Sequence, residues 1–235
     1  LNLDAFLILR NEDGVTDAGL EGNTLISRLT GARVGLVSVE EYTAVGQRAL
    51  VERLVAGLAA RGRKPYGICS GGSDGVGLWG YVHAWQEVIV QAAAKGVAFT
   101  DVAVAIGSGG TAAGLGLGNH LASSAGVAPA AKVHAFGVCD SPDFFHDDID
   151  ANLLPGGCGV SSRDLLSIVD AQGLGYGVSQ PHELEFLAEA AKATGIVLDP
   201  CYTGKAAMAL VKHLQTSPAS FKGRDILFVH TGGLV

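Results

Sequence analysis

The chain has 235 residues, 48% of them hydrophobic and 17% charged, which is enough apolar sequence for one large or two small globular domains. The formal net charge of −7 and the lack of a basic cluster argue against nucleic-acid binding, and no apolar run is long enough to span a membrane. Four widely spaced cysteines predict free thiols rather than a zinc site or a disulfide framework. We therefore expect an intracellular protein without a bound metal, in the reducing environment of the cytosol or the mitochondrion. No signal or transit peptide is recognisable, although the sequence begins at Leu1 rather than at a methionine.

The first 70 residues alternate between predicted strands and predicted helices. Three short apolar runs predict strands, at residues 3–9, 34–37 and 65–69. A short helix with Asn23 as its N-cap is expected up to Thr30, and apolar residues at three- and four-residue steps predict one long helix over residues 39–61. The third strand leads into a glycine–serine turn at residues 70–73. This alternation is typical of a parallel α/β sheet.

Residues 101–118, DVAVAIGSGGTAAGLGLG, predict a buried strand, a glycine-rich loop and the start of a helix near Thr111. Within the strand, Val102, Val104 and Ile106 alternate with alanines, so that both faces are apolar. Such a run is typical of a central strand in a parallel sheet that is covered on both sides.

The loop after this strand has the features of an anion site. Glycines permit a sharp turn and a close approach of the backbone to a ligand, and the first N–H groups of the following helix have no partner within the helix. Because the helix dipole also favours negative charge at this end, the loop predicts a phosphate site. The residues expected to bind the phosphate are Gly107, Ser108, Gly109, Gly110 and Thr111. The alternative is a tight turn without a ligand.

The same loop also matches, weakly, the fingerprint of a dinucleotide-binding site, with Gly107, Gly109 and Ala112 as its small residues. In that reading Asp140, at the end of the next predicted strand, bonds a ribose hydroxyl. Asp140 follows the loop by about thirty residues, whereas about 20 is typical of the fingerprint. NAD binding therefore stays an alternative.

The remainder of the chain continues the alternation of strands and helices. Strands are predicted at residues 132–138 and 225–229, and helices at residues 76–95, 144–154, 181–194 and 205–214. Packing roles in the first of these helices are predicted for Trp79, Tyr81 and Trp85. We interpret His146, beside Asp147 and Asp148, as part of a solvated helix face rather than as a metal ligand, because no further ligand is suitably spaced. Residues 152–170 support no assignment.

Three motifs together resemble one family of enzymes. They are GSGGTAAGL at residues 107–115, LDPCYTGKAAMALV at residues 198–211 and ILFVHTGG at residues 226–233. The resemblance is to the D-cysteine desulfhydrase and 1-aminocyclopropane-1-carboxylate deaminase family, a branch of the fold-type-II pyridoxal-phosphate enzymes, and it extends over essentially the whole chain. It implies an α/β fold of two lobes with open parallel sheets, as in the tryptophan synthase β chain, and pyridoxal 5′-phosphate in the cleft between the lobes. The implied reaction is a β-elimination on a small amino acid that releases sulfide, pyruvate and ammonia.

The resemblance also implies a role for each matching residue. The loop of residues 107–111 would hold the cofactor phosphate, and Thr231 would face the pyridine nitrogen with a neutral hydroxyl group. Tyr202 and Tyr176 would lie over the substrate, where either phenol can serve as an acid, a base or an orienting donor if its pKa is lowered. Thr203 stands where the deaminase branch is expected to carry a glutamate, which favours the desulfhydrase branch.

One expected element of the family is missing from the sequence. The resemblance implies an upstream segment that carries the lysine for the Schiff base with the cofactor. Lys205 matches a family lysine with a different role, so we do not assign this function to it. We therefore expect a smaller lobe over residues 1–72 that is incomplete and a larger, phosphate-binding lobe over residues 73–235. An upstream segment, a second copy of the chain in a homodimer or a larger complex is expected to cover the incomplete lobe.

Three functions remain open from the sequence. The first is a carbon–sulfur lyase that uses pyridoxal phosphate, with the lysine segment supplied. The second is a catalytically inactive relative that serves as a structural subunit of a larger assembly. The third is a nucleotide-binding protein that uses residues 107–112. A visible absorbance band that borohydride abolishes favours the first, co-purifying partners without such a band favour the second, and retained NAD favours the third.

Overall fold

The computed structural model describes residues 3–11 and 15–232, and the chain divides into two compact units between Ser70 and Gly71. The lobes predicted from the sequence meet two residues further on, between residues 72 and 73. The interpretation of these lobes as an incomplete part and a cofactor-binding part stays a prediction.

The first unit contains a parallel pair of strands, β1 (Phe6–Asn11) and β2 (Arg33–Ser38). Its helices are α1 (Gly22–Leu29), α2 (Val39–Val45) and α3 (Gln47–Ala59). Both strands and the short helix between them confirm the predicted alternation, which places an α-helix between two parallel strands.

Three local predictions for this unit are wrong. The single helix expected over residues 39–61 is two helices, because Gly46 has a φ of +82°, a left-handed conformation that interrupts an α-helix. Residues 65–69 form no strand in the described structure and pair with neither β1 nor β2. Asn23 lies inside α1, whose N-cap is Glu21, so it does not cap the helix.

The second unit is built on a four-stranded parallel sheet with the order β5-β4-β3-β6. The strands are β3 (Asp101–Ile106), β4 (Lys132–Gly137), β5 (Ser167–Asp170) and β6 (Ile226–Val229). All six residues of β3 are buried, which confirms the predicted central strand. The strand β5 lies in the stretch that supported no assignment, and it pairs with the outer edge of β4.

Helices cover both faces of this sheet. They are α4 (Leu78–Ala94), α5 (Gly110–Ser124), α6 (Pro142–Asp148), α7 (Ser162–Leu165), α8 (Pro181–Thr194) and α9 (Thr203–Thr216), with one π-helical turn at Ile149–Leu153. Successive residues of a strand point to opposite faces. Accordingly, Val102 and Val104 pack into the core formed with α4 and α5, whereas Ala103 and Ala105 pack into the core that contains Ala206 of α9. The parallel α/β architecture is therefore the predicted one.

Two side-chain predictions in this unit are wrong. Trp79 is 44% exposed rather than packed, although Trp85 is buried and Tyr81 contacts the core as expected. His146 is buried rather than solvated, and its Nδ1 lies 2.8 Å from Ser162 Oγ. Among the described residues, no group of three or more histidine, cysteine, aspartate or glutamate side chains is placed to hold a metal ion. None of the described helices has the length and apolar character that a membrane crossing requires.

Candidate active site

A cleft of about 320 Å³ opens at the carboxyl end of β3. Its volume falls within the range of about 300–1,000 Å³ that is typical of small-molecule and cofactor sites. The residues that line it are Gly71, Tyr81, Thr111, Ala112, Tyr202, Thr231, Gly232 and residues 105–109. The cleft thus brings together the predicted phosphate loop, Tyr202 and Thr231, because ligands of parallel sheets bind outside the carboxyl ends of the strands.

The loop of residues 107–111 places hydrogen-bond donors beside this cleft. The backbone turns at Gly109, whose φ of +90° is strained for any residue with a side chain. Within residues 3–11 and 15–232, the N–H groups of Ser108, Gly109 and Thr111 have no hydrogen-bond acceptor. They lie at the N-terminus of α5, where the helix dipole favours negative charge, so the arrangement is suited to a phosphate group.

Gly110 differs from Ser108, Gly109 and Thr111 because its N–H is already paired. It donates to Ser73 Oγ at 3.1 Å, and Ser73 Oγ donates to Ser108 Oγ at 2.7 Å. A hydroxyl group has one proton, so Ser108, which accepts from Ser73, keeps its own proton for a ligand. We did not select Ser73 from the sequence, where the one available signal was the glycine–serine turn at residues 70–73.

The ring of Tyr202 lies directly against the phosphate loop. A Cβ atom at position 107 would come within 2.6 Å of Tyr202 Cε1, so only glycine fits there without a shift of the ring. The Asp199 carboxylate fixes the turn that carries Tyr202, because it accepts the N–H groups of Cys201, Tyr202 and Thr203 at 2.7–2.9 Å. Burial would raise the pKa of Asp199, but its hydrogen bonds with Thr203, Tyr202 and Cys201 hold the pKa below its ordinary value.

Tyr176 does not line the cleft itself, but it contacts Tyr202, which does. The two Oη atoms lie 2.6 Å apart and the rings meet edge to face, with their centroids separated by 5.7 Å. Burial raises the pKa of both phenols above the ordinary value. This direction is opposite to the lowered pKa that the sequence-based expectation required: each phenol stays protonated and can donate a hydrogen bond, but it is a weaker acid than a free tyrosine.

Lys205 does not line the cleft. Its side chain is buried, and Nζ donates to the carbonyl oxygens of Gln172 and Gly175, each at 2.7 Å. These residues flank Tyr176 in the chain. That a lysine other than Lys205 holds the cofactor stays a prediction.

The end of β6 contributes to the lining of the cleft, whereas the end of β4 supports the phosphate loop from outside it. Thr231 and Gly232 line it directly after β6, whereas Gly233 of the same motif lies outside the described residues. After β4, Cys139 Sγ donates to the Gly107 carbonyl oxygen at 3.1 Å. Burial raises the pKa of this thiol to about 12, so it supports the loop as a neutral group. Asp140, the residue expected to bind a ribose, does not line the cleft.

Comparison with known proteins links this chain to one family. A family model described as pyridoxal-phosphate dependent enzyme matches residues 5–232. The chain is 46% identical to a protein of Arabidopsis thaliana named bifunctional D-cysteine desulfhydrase/1-aminocyclopropane-1-carboxylate deaminase, mitochondrial, over 100% of this chain and 58% of that protein. It is 31% identical to the D-cysteine desulfhydrase of Yersinia pestis, over 99% of this chain and 69% of that protein.

A solved structure described as an ACC deaminase homologue has a similar fold. It matches with a TM-score of 0.79 and 28% sequence identity, and the match covers 99% of this chain and 66% of that one. The chain thus spans between about three fifths and about seven tenths of the length of these relatives.

Proposed function

Because the chain belongs to the family of pyridoxal-phosphate dependent enzymes, we propose that it acts in a β-elimination on a small amino acid, in the manner of a D-cysteine desulfhydrase. Cysteine and water would yield sulfide, pyruvate and ammonia. The observation that carries this proposal is the placement of a donor-rich loop and two protonated phenols at one cleft. The word mitochondrial in the name of the Arabidopsis relative supports the mitochondrion as one location, with the cytosol as the other.

The donors of the cleft fit the phosphate of the cofactor. The N–H groups of Ser108, Gly109 and Thr111 and the hydroxyl group of Ser108 provide four donors beside the start of α5. Thr231 also lines the cleft and would offer a neutral hydroxyl group to the pyridine nitrogen. Pyridoxal phosphate, when it is bound, supplies an electron sink for the negative charge at the substrate α-carbon.

The phenol pair is the source of a proton in this proposal. One phenolic proton bridges Tyr176 Oη and Tyr202 Oη, and the second is free to be donated toward the cleft. In this proposal Tyr202 donates its phenolic proton to the sulfur that leaves the substrate, and the raised pKa of both phenols makes this step slower than it would be with a more acidic donor. Tyr202 lines the cleft and is the one that we assign as the donor, with Tyr176 orienting it.

Thr203 supports the desulfhydrase branch over the deaminase branch. Its side chain is fully buried, and its hydroxyl group donates to Asp199 Oδ1 at 2.6 Å. Residue 203 therefore provides no carboxylate group for the cleft. Its hydroxyl group instead stabilises the turn that carries Tyr202.

The test is an assay of the protein with its natural ends, loaded with pyridoxal phosphate. We expect equal amounts of sulfide and pyruvate from cysteine, and little ammonia from 1-aminocyclopropane-1-carboxylate. Tyr202→Phe should lower turnover by about 10²-fold, since it removes the proton donor. Tyr66→Phe is the matched control, because Tyr66 is 73% exposed in the first unit.

Borohydride reduction followed by peptide mapping identifies the lysine that holds the cofactor. We expect that lysine not to be Lys205, whose Nζ is engaged by two carbonyl oxygens. A protein that binds the cofactor weakly, forms no product and co-purifies with other chains would instead be an inactive subunit of a larger assembly.

A further inference from the structure

Lys205 occupies a position that helix stability does not explain. It lies in the first turn of α9, where the helix dipole disfavours a positive charge, and only 2% of its surface is exposed. A buried lysine is rare unless its ammonium group is paired. The reason for its presence must therefore lie in the groups that it contacts.

Those groups are two carbonyl oxygens of the loop that carries Tyr176. Gln172 O also accepts the N–H of Gly175, and Gly175 O also accepts the N–H of Val178. The ammonium group of Lys205 thus joins two successive turns, one on each side of Tyr176, through charge-assisted hydrogen bonds.

Besides these contacts, the loop is held by Gln172 N–H, which donates to Asp170 Oδ1 at 3.0 Å, and by the hydrogen bond between Tyr176 and Tyr202. Gly173, Gly175 and Gly177 all have positive φ values, of 61°, 117° and 73°, and none of them has a side chain that could pack. Tyr176 is 48% exposed, so burial of its ring does not fix it either. Three glycines in five residues leave much backbone freedom, which the contacts with Lys205 restrict.

The carboxylate of Glu183 lies at Gly173, as this ammonium group does, with no ion pair between the two among the described residues. A Cβ atom at Gly173 would lie 2.9 Å from Glu183 Oε1 and 3.7 Å from Lys205 Nζ, so both groups border the same glycine. Glu183 is itself buried, and its Oε2 accepts the N–H of Gln180 at 2.7 Å. A buried cation beside a buried anion is tolerated at this site because both have further hydrogen bonds.

We infer that Lys205 is a positioning residue, which holds the hydroxyl group of Tyr176 within hydrogen-bonding distance of Tyr202. Lys205 and Tyr202 lie three residues apart at the start of α9, so one rigid element fixes both the loop and its partner phenol. The inference rests on the proposed function, in which Tyr176 orients the proton donor Tyr202.

The test uses Lys205→Met in the protein with its natural ends and with pyridoxal phosphate bound. Amide hydrogen exchange of residues 172–178 should become at least about tenfold faster, whereas exchange in the second half of α9 should not change. The turnover number should fall about as much as in Tyr176→Phe, with a change of KM below about threefold, because the defect lies in the orientation of the donor. Lys212→Met, on an exposed position of the same helix, is the control and should behave as wild type.

A double variant separates positioning from a general structural defect. If Lys205 acts through Tyr176, the variant with both Lys205→Met and Tyr176→Phe should be no slower than Tyr176→Phe alone, within about threefold. Two results would overturn the inference. One is a loss of turnover in the double variant that equals the product of the two single losses, and the other is amide hydrogen exchange of residues 172–178 in Lys205→Met that equals the wild-type exchange. Lys205→Arg, which keeps the charge, serves if Lys205→Met does not fold, and it should retain most of the protection of the loop.

The two proposals fail in different ways. If the wild-type protein releases no sulfide, the proposed function is wrong, but the exchange measurement still shows whether Lys205 fixes the loop. If the wild type is active and the exchange of Lys205→Met equals that of wild type, only the role of Lys205 is wrong.

Discussion

At the amino end of β3 the buried carboxylate of Asp101 accepts hydrogen bonds from four donors, whereas at the carboxyl end of the same strand three N–H groups have no acceptor among the described residues. The donors to Asp101 are the side chains of Thr100 and His134 and the N–H groups of Lys222 and Gly223. The carboxylate at one end of β3 therefore has its partners within the protein, whereas the other end presents donors without acceptors among the described residues.

The difference shows how one strand serves stability and function at once. Buried polar groups normally find partners within the protein, and the exceptions concentrate at functional sites. At the amino end, the His134 ring stacks on Phe221 with a centroid distance of 4.3 Å, and burial lowers the pKa of His134, so a neutral imidazole donates from Nε2 to Asp101. Changes at the two ends should therefore be separable, with cofactor binding lost at one and folding stability lost at the other.

The largest effect is expected at the carboxyl end, from Gly107→Ala. The new methyl group would displace the ring of Tyr202, since the space between them is only 2.6 Å. Affinity for pyridoxal phosphate and turnover should each fall by at least about 10²-fold, and the free energy of unfolding by about 1–3 kcal/mol. Fluorescence titration with the cofactor measures the first effect. Gly80→Ala, where an added Cβ meets nothing within 4 Å, should bind the cofactor as wild type does.

The second-largest effect is expected at the amino end of β3, from Asp101→Asn. The amide group cannot accept all four hydrogen bonds, so we expect a loss of about 3 kcal/mol in the free energy of unfolding, with the cofactor affinity of the folded protein unchanged. Chemical denaturation and cofactor titration measure the two quantities. Asp225→Asn, at an exposed side chain nearby, should change neither. A weaker cofactor affinity in Asp101→Asn would show that the two ends are coupled.

The same carboxylate predicts a dependence of stability on pH. Burial alone would raise the pKa of Asp101, but the hydrogen bonds from His134, Lys222 and Thr100 outweigh burial and hold the pKa below its ordinary value. Its contribution is therefore fully present above the unfolded-state pKa of about 4 and is lost as the pH falls through the lower folded-state pKa. The difference in unfolding free energy between wild type and Asp101→Asn should shrink below pH 4, and a difference that is constant down to pH 2 would contradict this account.

The smallest effect should come from Ser73→Ala, which sharpens the comparison at the carboxyl end. The substitution removes the acceptor of the Gly110 N–H and releases the hydroxyl group of Ser108. Affinity for pyridoxal phosphate should fall about three- to tenfold, while affinity for pyridoxal, which lacks the phosphate, should stay within about twofold. Equal losses for both ligands would mean that Ser73 supports the fold rather than the phosphate loop. Ser124→Ala, at the exposed end of α5, is the control.

The parts that could be predicted from the sequence are those that local chemistry determines. The strand β3 is a short β-branched run bounded by glycine, and α8 has the predicted bounds because Pro181 begins it and Gly195, with a φ of +74°, ends it. The phosphate loop could be recognised because its glycines and hydroxyl groups are contiguous. Its roles, and those of Tyr176 and Thr231, still await the experiments above.

The parts that could not be predicted depend on partners far away in the chain. Ser73 meets Ser108 across 35 residues, and Lys205 meets Gln172 across 33, so neither contact has a local pattern. The apolar run at residues 65–69 has the composition of a strand but no described neighbour to pair with, and sheet formation needs that neighbour. The raised pKa of the phenols likewise follows from burial that only the folded site reveals.

All residues that line the cleft lie after the division between Ser70 and Gly71, and so belong to the second unit. The predicted phosphate loop and Tyr202 therefore share one unit, and so do Gly107 and Ser73, the two positions at which substitution is expected to weaken cofactor binding. A thermal or chemical transition of the second unit alone should then report cofactor binding, whatever the first unit does.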